Sequence, residues 1–288
     1  MANIKELKMK IKSTKGTLKI TQAMKLVSAA KLNKAQQAIT TTRPYANELN
    51  ETIKAVSALV EDYSHEYLNE TENKQAVLLV ISSNKGLCGG YNSQLGKEVK
   101  KFVSETDLDL KVFYIGKKAK EILKNNVNSG KQFDFEGMEP TFTEMQKIGQ
   151  ELATMFKTGE VGKILVAYNV FQSAIEFKPT IKQLLPMSLD ENEKLELQNK
   201  FPFDFKYDPN PTEILDTLIP DAFSTTLWTS LLDGLASEHG ARMSSMDSAV
   251  KNCKEAIRSQ TLKMNKLRQA AITTELIEVI SGAESLNT

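Results

Sequence analysis

The feature that most constrains the fold is the last seventy-odd residues, which contain no proline after Pro220 and follow a heptad pattern. From Leu232 onward, apolar residues recur every seven positions, and a mixture of apolar and polar residues occupies the positions three residues after each. The first set is Ala236, Met243, Val250, Ile257, Met264 and Ala271, and the second is His239, Met246, Cys253, Gln260, Leu267 and Thr274. This spacing predicts a coiled-coil helix. Such a helix extends about 100 Å at 1.5 Å per residue, too far for one globular core to bury.

A helix with one apolar stripe needs a partner, and the first sixty or so residues provide it. Counting in sevens from Ile4 gives nine positions of which eight are apolar, with Lys25 as the exception. Because the two helices lie at opposite ends of the chain, we expect an antiparallel coiled coil, bent near Pro44. The last turns of the C-terminal helix then extend beyond the pair. Their apolar residues, which predict a hydrophobic socket in another molecule, are Ile272, Leu276, Ile277, Val279 and Ile280.

Short apolar runs alternate with helical patterns between the two ends of the chain. We predict strands at residues 76–82, 110–116, 163–168, 174–186 and 201–207, and helices at 92–104, 117–125 and 141–157. Residues 64–74 are interpreted as a linker containing a solvated His65, and residues 192–200 as a polar connector. The order predicts a doubly wound, Rossmann-like α/β domain with a mostly parallel sheet. The expected domains are 1–63 and 211–288 for the coiled coil and 75–210 for the inserted α/β domain.

Charge is distributed unevenly, although the formal net charge is only +1. Residues 1–43 contain ten Lys or Arg and one acid, Glu6. Cations at a helix N-terminus oppose the helix dipole, so this arrangement indicates an anionic partner. One candidate class is therefore a basic coiled coil that binds nucleic acid or acts as a scaffold. Two observations argue against nucleic-acid binding. Residues 1–43 contain no aromatic side chain on which a base could stack, and the cations lie all around the helix rather than on one stripe.

The glycine-rich turn at residues 83–92 (SNKGLCGGYN) occupies the place where a dinucleotide-binding fold holds phosphate. Its spacing matches neither G-x-G-x-x-G nor G-x-x-x-x-G-K-[ST], which favours a structural turn or a subunit contact. Cys88 in this turn is interpreted as an inert thiol, because no histidine is near it in sequence. Nothing in the pattern predicts a catalytic group, a nucleotide site or a cofactor.

The sparse cysteines and histidines limit other chemistry. Two cysteines far apart, Cys88 and Cys253, predict neither a disulfide framework nor, with only two histidines, a transition-metal site. His239 falls on the heptad seam and is expected to pack there. No apolar run reaches the roughly eighteen residues of a membrane span, and the basic start is interpreted as helix rather than as a targeting segment.

Four separate blocks of the chain resemble the γ subunit of the F-type ATP synthase, the central rotor shaft of that enzyme. They are IKSTKGTLKITQAMKLVSAAKLNKAQ, KGLCGGYN, SEHGARM and RQAAITTELIEVISGA, in that order. The last block matches the pattern of the family at Ile272, Thr273, Glu275, Glu278, Gly282, Ala283 and Ser285. The cysteine-bearing insertion of the plant plastid form is missing, which favours a bacterial source.

The resemblance implies a non-catalytic subunit whose coiled coil stands inside a ring of three αβ pairs. It further implies that the α/β domain rests with the ε subunit on the membrane-embedded c-ring. Proton or sodium flow through the ring would turn the shaft and so drive ATP synthesis. The expected location is peripheral, on the cytoplasmic face of the bacterial cell membrane. The expected partners are the α, β and ε subunits and the c-ring, with no nucleic acid.

The resemblance also implies which residues contact the catalytic β subunit and the sleeve above it. Met24 and Lys25, in the AMK sequence, match positions that meet an acidic loop of the catalytic subunits. The C-terminal helix supplies the others, which are Arg242, Arg268, Gln269, Thr273 and Glu275. Ordinary surface or seam packing of a helix remains the alternative for each of these residues.

Overall fold

A computed structural model of the chain describes residues 2–60, 63–137, 140–187, 191–201 and 205–286. It is a mixed α/β structure in which one long helix precedes, and another follows, the five strands of a single sheet in the sequence. The elements are α1 (Ala2–Leu59), β1 (Gln75–Ile81), α2 (Tyr91–Glu105), β2 (Asp109–Ile115), α3 (Lys117–Leu123), β3 (Asn128–Phe133), α4 (Phe142–Lys157), β4 (Lys163–Ser173), β5 (Glu176–Leu185), α5 (Glu191–Lys200) and α6 (Pro211–Leu286).

The sheet has the strand order β3-β2-β1-β4-β5. Strand β1 pairs in parallel with β2 and β4, β2 pairs in parallel with β3, and β5 runs antiparallel to β4. The central strand β1 has the sequence QAVLLVI and is buried from its second residue to its last, as expected of a strand covered on both faces. The predicted α/β domain with a mostly parallel sheet is confirmed.

Alternate residues of β1 point into two separate apolar clusters. On one face, Leu78 and Val80 lie with Leu95 of α2 and Leu123 of α3. The other face is larger, because α4, α6 and the end of α1 all contribute to it. Its members include Leu49, Ile53, Val77, Leu79, Met145, Leu152, Leu215, Phe223 and Leu227. The C-terminal helix is therefore part of the core of the sheet.

The chain divides into two compact units, which are described separately. The larger unit comprises Ala29–Ala241. In it, side chains of α1 bond to residues of α6 in reversed order: Asn50 Nδ2 donates to Thr226 Oγ1 at 3.1 Å, and Arg43 pairs with Asp233. Seam residues such as Leu32 and Ile39 are buried. The antiparallel pairing predicted from the heptads is confirmed within this unit.

The smaller unit comprises Met1–Ser28 and Arg242–Thr288. Its helices also run antiparallel, because Lys25 pairs with Asp247 while Glu6, nearer the N-terminus, lies within electrostatic range of Lys263. Four apolar seam residues are buried in the unit. They are Leu7, Ile11, Met246 and Val250.

The middle of the chain contains one strand that was not predicted and one prediction that is wrong. Residues 128–133 form β3, an edge strand that was missed because NSGKQF lacks an apolar run. Residues 192–200, interpreted as a connector, belong to helix α5. This polar helix is held against α1 because Lys54 Nζ lies 3.3 Å from Glu193 Oε1 and Gln198 Nε2 donates to the Ala58 carbonyl oxygen at 2.9 Å.

Two further expectations need correction. The strand predicted at 201–207 lies partly outside the described residues, and its described ends, at 201 and 205–207, are not in a strand. His65 is half-buried rather than solvated: its Nδ1 accepts a hydrogen bond from the Tyr67 amide at 3.1 Å. Burial lowers the pKa of His65 below its ordinary value.

Candidate partner-contact site

The charged exception on the seam, Lys25, is bonded within the chain. Its Nζ lies 2.6 Å from Asp247 Oδ1, and the two side chains are 42% and 34% exposed. The hydrogen bond from Lys25, aided by a second from Lys251, lowers the pKa of Asp247. The carboxylate is therefore charged at neutral pH, and the pair is lost only as the pH falls through that lowered pKa. Met24, the neighbouring predicted contact, is half-exposed.

The predicted contacts on α6 differ in exposure. Arg242 is buried, at 8% relative exposure, so most of its surface is already covered within the chain. The others, Arg268, Gln269, Thr273 and Glu275, are exposed on the last turns of the helix. Thr273 Oγ1 donates to the Gln269 carbonyl oxygen at 3.0 Å. These four residues can reach another molecule without any rearrangement of the chain.

The apolar tip of α6 is exposed, as predicted. Its five large residues are between 49% and 70% exposed, although each buries readily in globular proteins. They are Ile272, Leu276, Ile277, Val279 and Ile280. An exposed apolar segment of this kind indicates an interaction site.

Positive charge surrounds the helix pair of the smaller unit. Residues 2–28 and 242–268 together contain fourteen Lys or Arg and three Asp or Glu. Two of the acids are occupied within the chain, since Glu6 pairs with Lys10 at 2.7 Å and Asp247 with Lys25. The first 43 residues contain only half of this basic surface, since residues 242–268 contribute seven of the fourteen cations. A count of charges along both helices of the predicted coiled coil identifies the whole basic surface from the sequence.

The glycine-rich turn bonds mainly to itself. Asn92 Nδ2 donates to Ser83 Oγ at 2.8 Å and to Cys88 Sγ at 3.2 Å, and Ser83 Oγ lies 2.8 Å from the Lys85 carbonyl oxygen. Leu87, at the tip, has a positive φ of 63° and an exposed side chain. This network supports the interpretation of a structural turn.

Helix α6 fills the crevice in which doubly wound folds hold their ligands. That crevice lies beyond the carboxyl ends of the strands where the strand order reverses, here between β1 and β4. Tyr91, at the start of α2, donates from Oη to the Gly234 carbonyl oxygen of α6 at 3.0 Å. Ser237 Oγ of α6 donates to the Asn169 carbonyl oxygen of β4 at 3.0 Å. The chain's own helix thus occupies the position of a dinucleotide.

The two cysteines differ in access, which allows a direct test of the turn. Cys88 is 2% exposed, whereas Cys253 is partly exposed. We expect Cys253 to react with a thiol reagent about tenfold or more faster than Cys88, because Cys88 reacts only after local opening. Mass spectrometry of the labelled full chain measures both rates, and a Cys253→Ser variant isolates the slow one. Equal rates would contradict a closed turn.

Among the described residues, no group of three His, Cys, Asp or Glu side chains is placed to hold a metal ion. Over the same part of the chain, no helix has the length and apolar character needed to cross a membrane.

Comparison with known proteins gives consistent matches over the whole chain. A family model described as "ATP synthase" matches residues 3–286. The ATP synthase gamma chain of Geotalea daltonii is 39% identical over 99% of both chains. That of Flavobacterium psychrophilum is 40% identical, again over 99% of both chains.

Solved structures support the same fold. A chain of the Euglena gracilis mitochondrial ATP synthase aligns with a TM-score of 0.65 at 18% identity, covering 99% of this chain and 95% of that chain. A chain from the structure of the Tetrahymena thermophila mitochondrial ATP synthase central stalk and c-ring aligns with a TM-score of 0.58 at 22% identity, covering 80% of this chain and 99% of that chain. At these identities the likeness concerns the fold. None of these matches supports the nucleic-acid-binding alternative.

Proposed function

The chain belongs to the ATP synthase gamma-chain family, and from this membership we propose that it is the rotating central-stalk subunit of an F-type ATP synthase. The observation that carries the proposal is the match of residues 3–286 to the family model, which includes both long terminal helices of this chain. A fold-level likeness alone would not specify a function, whereas close relatives of nearly equal length do.

The proposed mechanism is a linkage between the orientation of the shaft and the conformation of each catalytic site. The α and β subunits would surround the helix pair, and the shaft would present a different face to each chemically identical site. A binding partner shifts a conformational equilibrium only if it binds the two conformations with different affinities. An asymmetric shaft would contact each catalytic site differently, and it would therefore favour a different conformation in each. Two features would make such a shaft asymmetric: Pro44 within α1, which removes a backbone hydrogen bond, and the exposed apolar tip of α6.

We propose that the basic surface of the smaller unit faces acidic groups of the catalytic subunits. In this proposal Met24 and Lys25 meet an acidic loop of β. The C-terminal contacts of the proposal are Arg268, Gln269, Thr273 and Glu275, with Arg242 acting from a more buried position. The intrachain pair with Asp247 holds the Lys25 ammonium in one place, which reduces the entropy lost when a second acid binds it.

The subunit itself would perform no catalysis, and its role would be mechanical and regulatory. The three-part division into residues 1–63, 75–210 and 211–288 is retained as a proposal. So are the contacts of the α/β domain with the ε subunit and the c-ring, the location on the cytoplasmic face of the bacterial cell membrane, and the coupling of proton or sodium flow to ATP synthesis.

Co-purification tests the proposed function. We expect the tagged full chain, expressed in its own organism, to bring down α, β and ε subunits with ATPase activity. A matched control is the same chain with the last turns, residues 270–288, replaced by a polar sequence, which should recover less of the α and β subunits. Recovery of nucleic acid without α and β subunits would contradict the proposal.

A charge introduced beside Lys25 tests the proposed contact with β. We expect Met24→Lys to lower ion pumping per ATP hydrolysed by roughly twofold to fivefold, because a like charge at a partly exposed ion pair costs on the order of 0.5–1 kcal/mol. Assembly should change less than coupling. Leu195→Lys adds the same charge on α5, where the leucine is 55% exposed, and serves as the control. Unchanged coupling in assembled Met24→Lys enzyme would rule out the contact.

A further inference from the structure

A network of buried polar residues, called the polar seam and distinct from the heptad seam, joins the sheet to the long helix α6 in the larger unit. It lies where residues Asp233 to Gly240 of α6 cross the carboxyl ends of β1 and β4. Asp233, only 4% exposed, pairs with Arg43 of α1 and accepts a hydrogen bond from the Phe171 amide of β4 at 3.1 Å. One carboxylate thus bonds to both another helix and the sheet.

A second part of the polar seam lies one turn further along α6. Ser237, 1% exposed, donates to the Asn169 carbonyl oxygen, and Asn169 Nδ2 donates to the Tyr91 carbonyl oxygen at 3.3 Å. Tyr91 in turn donates from Oη to the Gly234 carbonyl oxygen. These bonds link α6, β4 and the start of α2 in one connected network.

Helix α6 lies close to the turn that follows β4. A Cβ added at Gly240 would fall 3.0 Å from the carbonyl oxygen of Ala174 in that turn, tighter than most packing contacts. Close approach lets backbone atoms of α6 and of β4 take part in the network directly. Backbone atoms cannot change rotamer, so a displacement of the helix along or around its axis must break these bonds.

Folding stability alone does not explain why the residues of the polar seam are polar. Burial raises the pKa of Asp233, opposed by the Phe171 amide and the Arg43 guanidinium, so the charge depends on those two partners. Asn169 is fully buried, and its Oδ1 has no hydrogen-bond partner among the described atoms. Apolar residues in such positions are often equally or more stabilising. What directional bonds add is a fixed register, whereas apolar contacts are non-directional.

We propose that the residues Arg43, Asp233, Ser237, Asn169 and Tyr91 form a joint that transmits torque between the α/β domain and the helix pair. These are positioning residues. The inference rests on the proposed function, since a joint of this kind matters only if the domain and the helices turn together against a load. The inference goes beyond the proposed function because it names the bonds that keep α6 from sliding against the sheet under load.

Opening of the joint is measured by hydrogen exchange in the full chain. We expect Asp233→Ala to speed exchange of the Phe171 amide about tenfold, since the variant removes the buried charged acceptor of that amide. Asp233→Asn keeps the shape and an acceptor and should have a smaller effect. Lys131→Gln is the control, because it removes an exposed ion pair with Glu151, at 2.6 Å, elsewhere in the unit. An unchanged Phe171 rate in Asp233→Ala would overturn the joint.

The consequence for torque is measured in membrane vesicles containing the assembled enzyme. With a tight joint, an ion gradient opposes ATP hydrolysis and an uncoupler that collapses the gradient stimulates it. We expect Asp233→Asn, Arg43→Gln and their combination to lose most of that stimulation while hydrolysis continues, because a joint that slips under load is not slowed by the gradient. Lys131→Gln should keep the stimulation.

The outcomes separate this inference from the proposed function. If the unaltered chain does not assemble with α and β subunits, the proposed function fails. If the unaltered chain assembles and couples, but the joint variants assemble and keep full stimulation, the joint is overturned. Where Asp233→Asn does not assemble, Ser237→Ala and Tyr91→Phe, each removing one hydrogen bond, decide the question by the same measurement.

Discussion

Replacing Gly116 with alanine is expected to lower the free energy of unfolding by about 3–5 kcal/mol. Gly116 follows β2 with a φ of +88°, and an added Cβ would overlap the carbonyl oxygen of Ser82. Ser82 cannot give way cheaply: its amide donates to the Ile115 carbonyl oxygen at 2.8 Å, and its Oγ accepts from the Ala119 amide at 3.0 Å. The substitution therefore adds steric overlap to backbone strain.

Gly159 provides the matched control for this prediction. It also has a positive φ, of +74°, but nothing lies within 4 Å of an added Cβ. Gly159→Ala should therefore cost only the backbone term, about 1–2 kcal/mol. Urea unfolding of the full chain and the two variants, followed by circular dichroism, gives the comparison. Equal losses for the two variants would show that the contact with Ser82 is not rigid.

Replacing Phe223 with alanine is expected to cost about 3–5 kcal/mol of unfolding free energy. Phe223 of α6 is 2% exposed and lies in the larger apolar cluster beside the sheet. Its ring packs edge-on against Tyr67, with centroids 5.7 Å apart, and an added Cβ at Gly149 of α4 would lie 3.4 Å from it. Truncation would leave a cavity between α6, α4 and the loop that contains Tyr67, and these segments cannot all move inward to fill it.

The comparison for Phe223 is an exposed residue of the same unit. Ile175 is 80% exposed between β4 and β5, so Ile175→Ala should change the unfolding free energy by no more than about 0.5 kcal/mol. Thermal and urea unfolding should both show the difference. A loss below about 1 kcal/mol for Phe223→Ala would mean that α6 is not integral to the core of the sheet.

How much of the fold the sequence predicts depends on how strongly each segment is patterned. The continuous apolar run of β1 and the heptad spacing of α1 and α6 are strong signals for a buried strand and two long helices. The structure confirms all three elements. Strand β3 carries no such run, because at the edge of the sheet only its last residue, Phe133, is buried. Helix α5 is mostly polar, with no apolar stripe at helical spacing, and it contacts α1 through single polar bonds that no sequence pattern predicts.

The candidate site was less predictable, because its geometry depends on pairs of residues far apart in the chain. Lys25 was recognised as an exception on the seam, but its partner Asp247 lies more than two hundred residues away and off the seam positions. The buried Asp233 is equally hidden, since a single aspartate in a helix is usually at its surface. The spacing of the glycine-rich turn favours a structural role, and only the structure reveals that α6 fills the crevice above it.

The central claim is that this chain turns inside its complex, and single-molecule observation of rotation tests it most directly. A probe would be attached to the tagged α/β domain of the chain in an enzyme held to a surface through its β subunits. The account predicts that ATP drives the probe in one direction, in steps that each correspond to one catalytic site, and that inhibiting hydrolysis stops it. A probe that stays fixed while the same complexes hydrolyse ATP would contradict the account.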